Sequence, residues 1–205
     1  GDAEGAWDRL YGRVQDDDAL AVKDLEELAK AMGRGDALGE LYSRLAESAL
    51  TEEGQKHKWL EAARVQEDML KRPLVALESA LRALALDLSD DGVLAHCERL
   101  AAAAKAWPRL NQVYETLIRR APDSGARSRL LLRLANILDQ QGGDKRAAFD
   151  KIVEALSLVP TDVELLTRAE ELATPAARNE ELLTLYYERA QYVTTVGEEL
   201  DMWLR

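Results

Sequence analysis

The chain has 205 residues, of which 47% are hydrophobic, 32% charged and 5% aromatic, with a formal net charge of -11. That apolar content supplies a core, the five prolines and few glycines disfavour a sheet-rich or disordered chain, and the acidic excess opposes nucleic-acid phosphates and anionic membrane surfaces. The one cysteine, Cys97, excludes an internal disulfide and fits a reducing compartment, so a cytoplasmic setting is expected. There is no apolar run of about 18 residues and no signal-like start, so no membrane insertion is expected. The chain opens on Gly1 and stops at Arg205 inside a stretch aligned with an earlier helix, which suggests an excised piece of a longer protein.

Breakers divide the chain into helix-length segments. They fall at Asp16-Asp17-Asp18, Gly33 to Asp36, Thr51, Arg72-Pro73, Ser89 to Gly92, Pro108, Pro122 to Gly125, Gly142 to Asp144, Pro160 to Asp162, Pro175 and Gly197. Between them the apolar residues follow helical spacing, as in Leu130, Leu131, Leu134 and Leu138, and strand alternation is absent. Thr161 and Ser89 can cap new helices, and Pro73 suits a first helical turn. The resulting expectation is about twelve helices. A lone helix occupies 1–16, hairpins occupy 17–52, 53–88, 89–124, 125–160 and 161–196, and the start of a truncated helix occupies 197–205.

The segments repeat with a 72-residue period. Tyr42, Tyr114 and Tyr186 share one slot, as do Leu28, Leu100 and Leu172, then Ala29, Ala101 and Ala173, then Trp59, Leu131 and Trp203. Such a period marks a stacked repeat array. Half of it is close to a tetratricopeptide repeat. Leu131, Leu134, Ala135 and Leu138, followed by Ala148, Ile152, Ala155 and Pro160, resemble that family's alternation of large and small packing residues; Trp59, Ala62, Ala63, Ala76, Ala80 and Ala83 follow it in hairpin two. Departures are Gln66 in a large-residue slot, Leu88 in place of proline, and loose matches in hairpins one, three and five. The resemblance, to divergent arrays of the kind found in long bacterial proteins, implies an all-α right-handed solenoid of antiparallel hairpins of about 36 residues.

Several candidate chemistries can be weighed against this register. Asp87, Ser89, Asp91 and Glu98 have the spacing of a calcium-binding EF-hand loop, but Leu94 matches Val22 and Leu166, so residues 91–98 are expected to be helical and to bind no metal. His96 and Cys97 are helical neighbours pointing about 100 degrees apart, which disfavours a nucleophile and base pair. Cys97 matches Leu25 and Ala169 in an apolar slot; His96 matches Asp24 and Arg168 in a polar one. Neighbouring glutamates such as Glu26-Glu27 and Glu180-Glu181 fit helix-dipole and solubility roles. Neither an enzyme nor a cofactor is expected.

The resemblance places a partner groove on the first helix of each hairpin. Its positions are His57, Leu60, Arg64, Glu67 and Asp68 in hairpin two and Arg129, Leu132, Asn136, Asp139 and Gln140 in hairpin four. Leucine replaces the lysine with which family members clamp a peptide carboxylate, so an extended or helical protein segment is the expected partner. The tyrosine slot and Trp59 and Trp203 are expected in the core, while Trp107 is either an exposed contact or a loop anchor. The expected function is a noncatalytic protein-interaction scaffold using its concave face. Alternatives are a structural spacer, a self-association module stacking end to end, or a regulatory region of a larger protein. Reversal of Arg64 and Arg129 to glutamate is expected to weaken binding without loss of stability, if both are exposed charges.

Overall fold

The computed structural model describes residues 2–16 and 18–190. These residues form eleven helices and no strand. They fall in two compact units, Gly1–Ala106 and Trp107–Arg205. The first holds α1 (Ala3–Gln15), α2 (Ala19–Met32), α3 (Gly35–Ser48), α4 (Glu52–Asp68), α5 (Pro73–Leu86) and α6 (Asp91–Ala104). The second holds α7 (Trp107–Arg120), α8 (Ser124–Ile137), α9 (Lys145–Leu158), α10 (Val163–Ala176) and α11 (Asn179–Ala190), with one π-helical turn over Leu138–Gly142 after α8. Within each unit a helix packs mainly on its neighbours in sequence. The expected segment at 197–205, with Trp203, lies outside the described residues.

The period of the sequence is written into the helix ends. Asp18, Asp90 and Asp162 share one slot, and each caps a helix with a side-chain oxygen: Asp18 accepts from the Leu20 amide, Asp90 from Val93, and Asp162 from Glu164 and Leu165. Thr51 and Asp123 share another slot and cap α4 and α8. These aspartates correct the expectation of Ser89 and Thr161. Along the chain the steps from Asp18 to Thr51 and from Asp90 to Asp123 are short, and those from Thr51 to Asp90 and from Asp123 to Asp162 are longer. The spacing between these caps therefore alternates between two lengths, and the full period spans one of each.

The C-terminal ends repeat too. Gly33, Lys105 and Ala177 adopt left-handed backbone with φ of 67, 53 and 57 degrees. In each case the next amide bonds back to the carbonyl of Ala29, Ala101 or Ala173, at 2.8, 2.9 and 2.8 Å. This wrapped ending satisfies carbonyls a helix end would otherwise leave open. Lys71 and Gly143, which share another slot of the repeat, are also left-handed and precede a wider turn in which the Arg72 and Asp144 amides reach the Gln66 and Leu138 carbonyls. Pro175 is not a breaker. It lies in the last turn of α10, where its fixed helical φ fits and only one helical bond is forfeited before the cap at Ala177.

Small residues let the helices approach. Ala62, Ala63, Ala76, Ala80 and Ala83 are fully buried where α4 meets α5, and Trp59 beside them is 8% exposed. Gln66, the departure from the large-residue pattern, is buried, and its side-chain oxygen accepts from the Ser79 hydroxyl of α5 at 2.8 Å. That bond supplies the partner a buried amide requires. In the second unit Leu131, Leu134, Phe149, Ile152, Leu165 and Ala173 play the corresponding packing roles. Tyr42 and Tyr114 are core residues at 1% and 0% exposure, whereas Tyr186 of the same slot is half-buried.

Candidate partner-binding face

The expected groove residues of the first unit lie on α4, whose flanks are joined to α2 and α6 by ion pairs. Arg64 bridges Glu26 of α2 and Glu61 one turn back on α4. The Tyr42 hydroxyl donates to the same Glu26 at 2.9 Å. Burial, followed by the adjacent Glu26 charge, pushes the Tyr42 phenol above its usual range and keeps it protonated. Burial opposes the Arg64 charge, but bonds to Glu61 and Glu26 outweigh it and hold the guanidinium above its ordinary value.

On the other flank Glu67 meets Arg99 and His96 of α6. The Arg99 bond holds the Glu67 carboxyl below its usual value despite partial burial. His57 and Asp68 are exposed on α4, and Leu60 is half-buried. Open hollows of about 410 Å³ lie on either side of the Arg64–Glu26 bridge. One is lined by Val22, Lys23, His57, Lys58 and Glu61, the other by Glu27, Lys30, Asp68, Met69 and Leu70.

The second unit repeats the pattern with different chemistry. Asn136 and Asp139 occupy the slots of Arg64 and Glu67, and both meet Arg168 of α10, which fills the slot of His96. Arg168 donates to Asn136 at 2.9 Å and to Asp139 at 2.5 Å. Asp139 also accepts from Lys145 at 2.7 Å, and this bond is the chief reason its carboxyl lies below the ordinary range. Leu132 is half-buried, and Arg129 and Gln140 are exposed. Tyr186 donates to Glu170 at 2.6 Å, the repeat counterpart of Tyr42 and Glu26.

Arg64 therefore departs from the expectation of a loose exposed charge. Arg64→Glu would set a third carboxylate beside Glu26 and Glu61 and, with the Arg64 side chain 41% exposed and screened by solvent, cost about 1 kcal/mol. Sequence reasoning missed Glu26, Glu61, Arg99 and Arg168 as partners across this face. A signal was present: Glu67 and Asp139 share a slot, as do His96 and Arg168, and each pair can bear opposite charge.

The other chemical candidates resolve locally. α6 begins at Asp91, so Glu98 lies two turns along a helix rather than at the end of an encircling loop. Asp87 accepts from the Ser89 hydroxyl at 2.7 Å and pairs with Lys56 at 2.9 Å. No group of three metal-ligating side chains converges among the described residues. Cys97 is fully buried, and burial pushes its thiol up to about 12, which suits core packing rather than nucleophilic work. Trp107 is half-buried at the head of α7. No described helix is long and apolar enough to cross a membrane. No protein-family model matches the chain, and no curated protein matches it significantly.

Proposed function

We propose that the chain is a noncatalytic scaffold of tetratricopeptide-like hairpins that holds a protein segment in a groove lined by the first helix of each hairpin. The observation that carries this reading is the pair of open hollows beside the Arg64–Glu26 bridge, lined by His57 and Asp68. The groove floor is pinned by ion pairs between helices, so a partner would meet a preformed surface and lose less ordering entropy on binding. The mixture of Lys23, Lys58, Glu27 and Asp68 with half-buried Leu60 suits a segment of mixed charge with an apolar anchor.

The test is capture of partners from source-cell lysate, with identification by mass spectrometry. Wild type is compared with a variant carrying His57→Glu, Asp68→Arg and Arg129→Glu, changes at exposed positions that leave the Arg64 bridge intact. The expected outcome is loss of specific partners with Tm unchanged. Identical captures from both proteins would remove the groove reading and favour a spacer.

A further inference from the structure

Among the described helices α11 stands apart, since it contains no buried residue. Leu183 and Tyr187, one turn apart, are 58% and 64% exposed. Leu182, Tyr186 and Ala190 occupy the slots of Leu38, Tyr42 and Ala46 in α3 and of Leu110, Tyr114 and Ile118 in α7. All six of those counterparts are at most 5% exposed. In the first unit α3 packs on the following helix α4, and in the second α7 packs on α8. The α11 face is thus chemically the same seat without such a following helix among the described residues. Beside it Val153, Leu156, Leu166 and Leu185 line a hollow of about 240 Å³.

The repeat identifies the occupant. Residues 198–205 lie outside the described residues, and their sequence continues the register of α4 and α8. Trp203 falls in the slot of Trp59 and Leu131, which are 8% and 0% exposed, and Leu200 in the slot of Ser128, which is 5% exposed. Thr195 falls in the capping slot of Thr51 and Asp123, with Glu198 at the spacing of a reciprocal cap. Leucine and tryptophan three positions apart would present one apolar edge to Leu182, Leu183, Tyr186 and Tyr187.

We propose that the α11 face is a helix-docking seat and that residues 198–205 of the same chain fill it, as α4 fills the seat on α3. The experiment uses the full chain and a Leu200→Asp/Trp203→Asp variant, compared by amide hydrogen exchange and sedimentation. The expected result is a wild-type monomer whose α11 amides exchange at least tenfold more slowly than those of the variant, with α2 to α5 unchanged. Trp203→Leu, which installs the residue of slot 131, should restore protection and so separate docking from general damage to the second unit. Equal protection of α11 in wild type and the aspartate variant would overturn the proposal, as would a Trp203→Leu protein that exchanges like the aspartate variant. A wild-type dimer whose dissociation on dilution exposes α11 would also overturn it, because a second copy would then be the occupant.

Discussion

Lys56 stands 2.9 Å from Asp87 and 2.5 Å from Asp90, tying α4 to the turn that starts α6. Its ammonium is held above the usual range by bonds to Asp90 and then Asp87. The Ser89 hydroxyl, followed by Lys56, draws the Asp87 carboxyl from 3.8 down to about 2. Lys56 is also the leading cause of the lowered value of Asp90. Because the folded state binds these protons more weakly than the unfolded state, the pairing stabilises the fold above about pH 4 and is lost as pH falls toward 2. Asp87→Asn should therefore flatten the acid limb of the Tm-versus-pH curve, while preserving the Asp90 cap. An unchanged slope between about pH 5 and pH 2 would show that Asp87 carries none of it. The acidic spacing that invites a calcium reading is thus used by a lysine, a hydroxyl and a helix cap. Sequence spacing alone did not show Lys56 coming from another helix.

At the scale of the element, one slot of the repeat ends α2 with glycine, α6 with lysine and α10 with alanine, all in left-handed backbone. A side chain with a Cβ is strained there and glycine is not. Lys105→Gly should raise stability by roughly 0.5–1 kcal/mol, whereas Asp162→Ala should lower it by about 1 kcal/mol by releasing the Glu164 and Leu165 amides. Thermal melts of the two variants should move in opposite directions; movement of both the same way would contradict the cap assignment. Helices and their register were legible because they depend on local apolar spacing and punctuation. Cap identity was less legible, since Ser89 and Asp90 are adjacent and both can cap, yet the recurrence of aspartate at Asp18, Asp90 and Asp162, once in every period, marks the right one. The polar face was legible as a set of positions, but not as bonds. Arg64 pairs with Glu26 38 residues away and Asp139 with Arg168 29 residues away, a proximity set by packing rather than by local sequence.

At the scale of the whole molecule, the repeat separates the two terminal described helices. α1 falls in the slots of α5 and α9, whose Ala80, Leu84, Ile152 and Leu156 are at most 5% exposed. At those slots α1 carries Asp8, which is exposed, and Gly12, which is half-buried. It still buries Trp7 and Val14, with Arg34 stacked 5.2 Å over the Trp7 ring. One side of α1 is thus anchored, while the side on which α5 and α9 take a neighbour is polar or bare. α11 is its opposite, with leucine and tyrosine exposed at 58% and 64%. End-to-end stacking through α1 should therefore be disfavoured, and the polar side should be what prevents it. Asp8→Ile/Gly12→Leu installs interior residues of those slots, and a Cβ at Gly12 meets nothing within 4 Å, so the double variant should fold. Sedimentation over a hundredfold concentration range should show it self-associating at concentrations where wild type does not. If the variant sediments as wild type throughout, the outer side of α1 is not a seat held closed by polarity. Resistance to stacking would then have to come from the net charge of -11, and would weaken in the same measure for both proteins as salt is added.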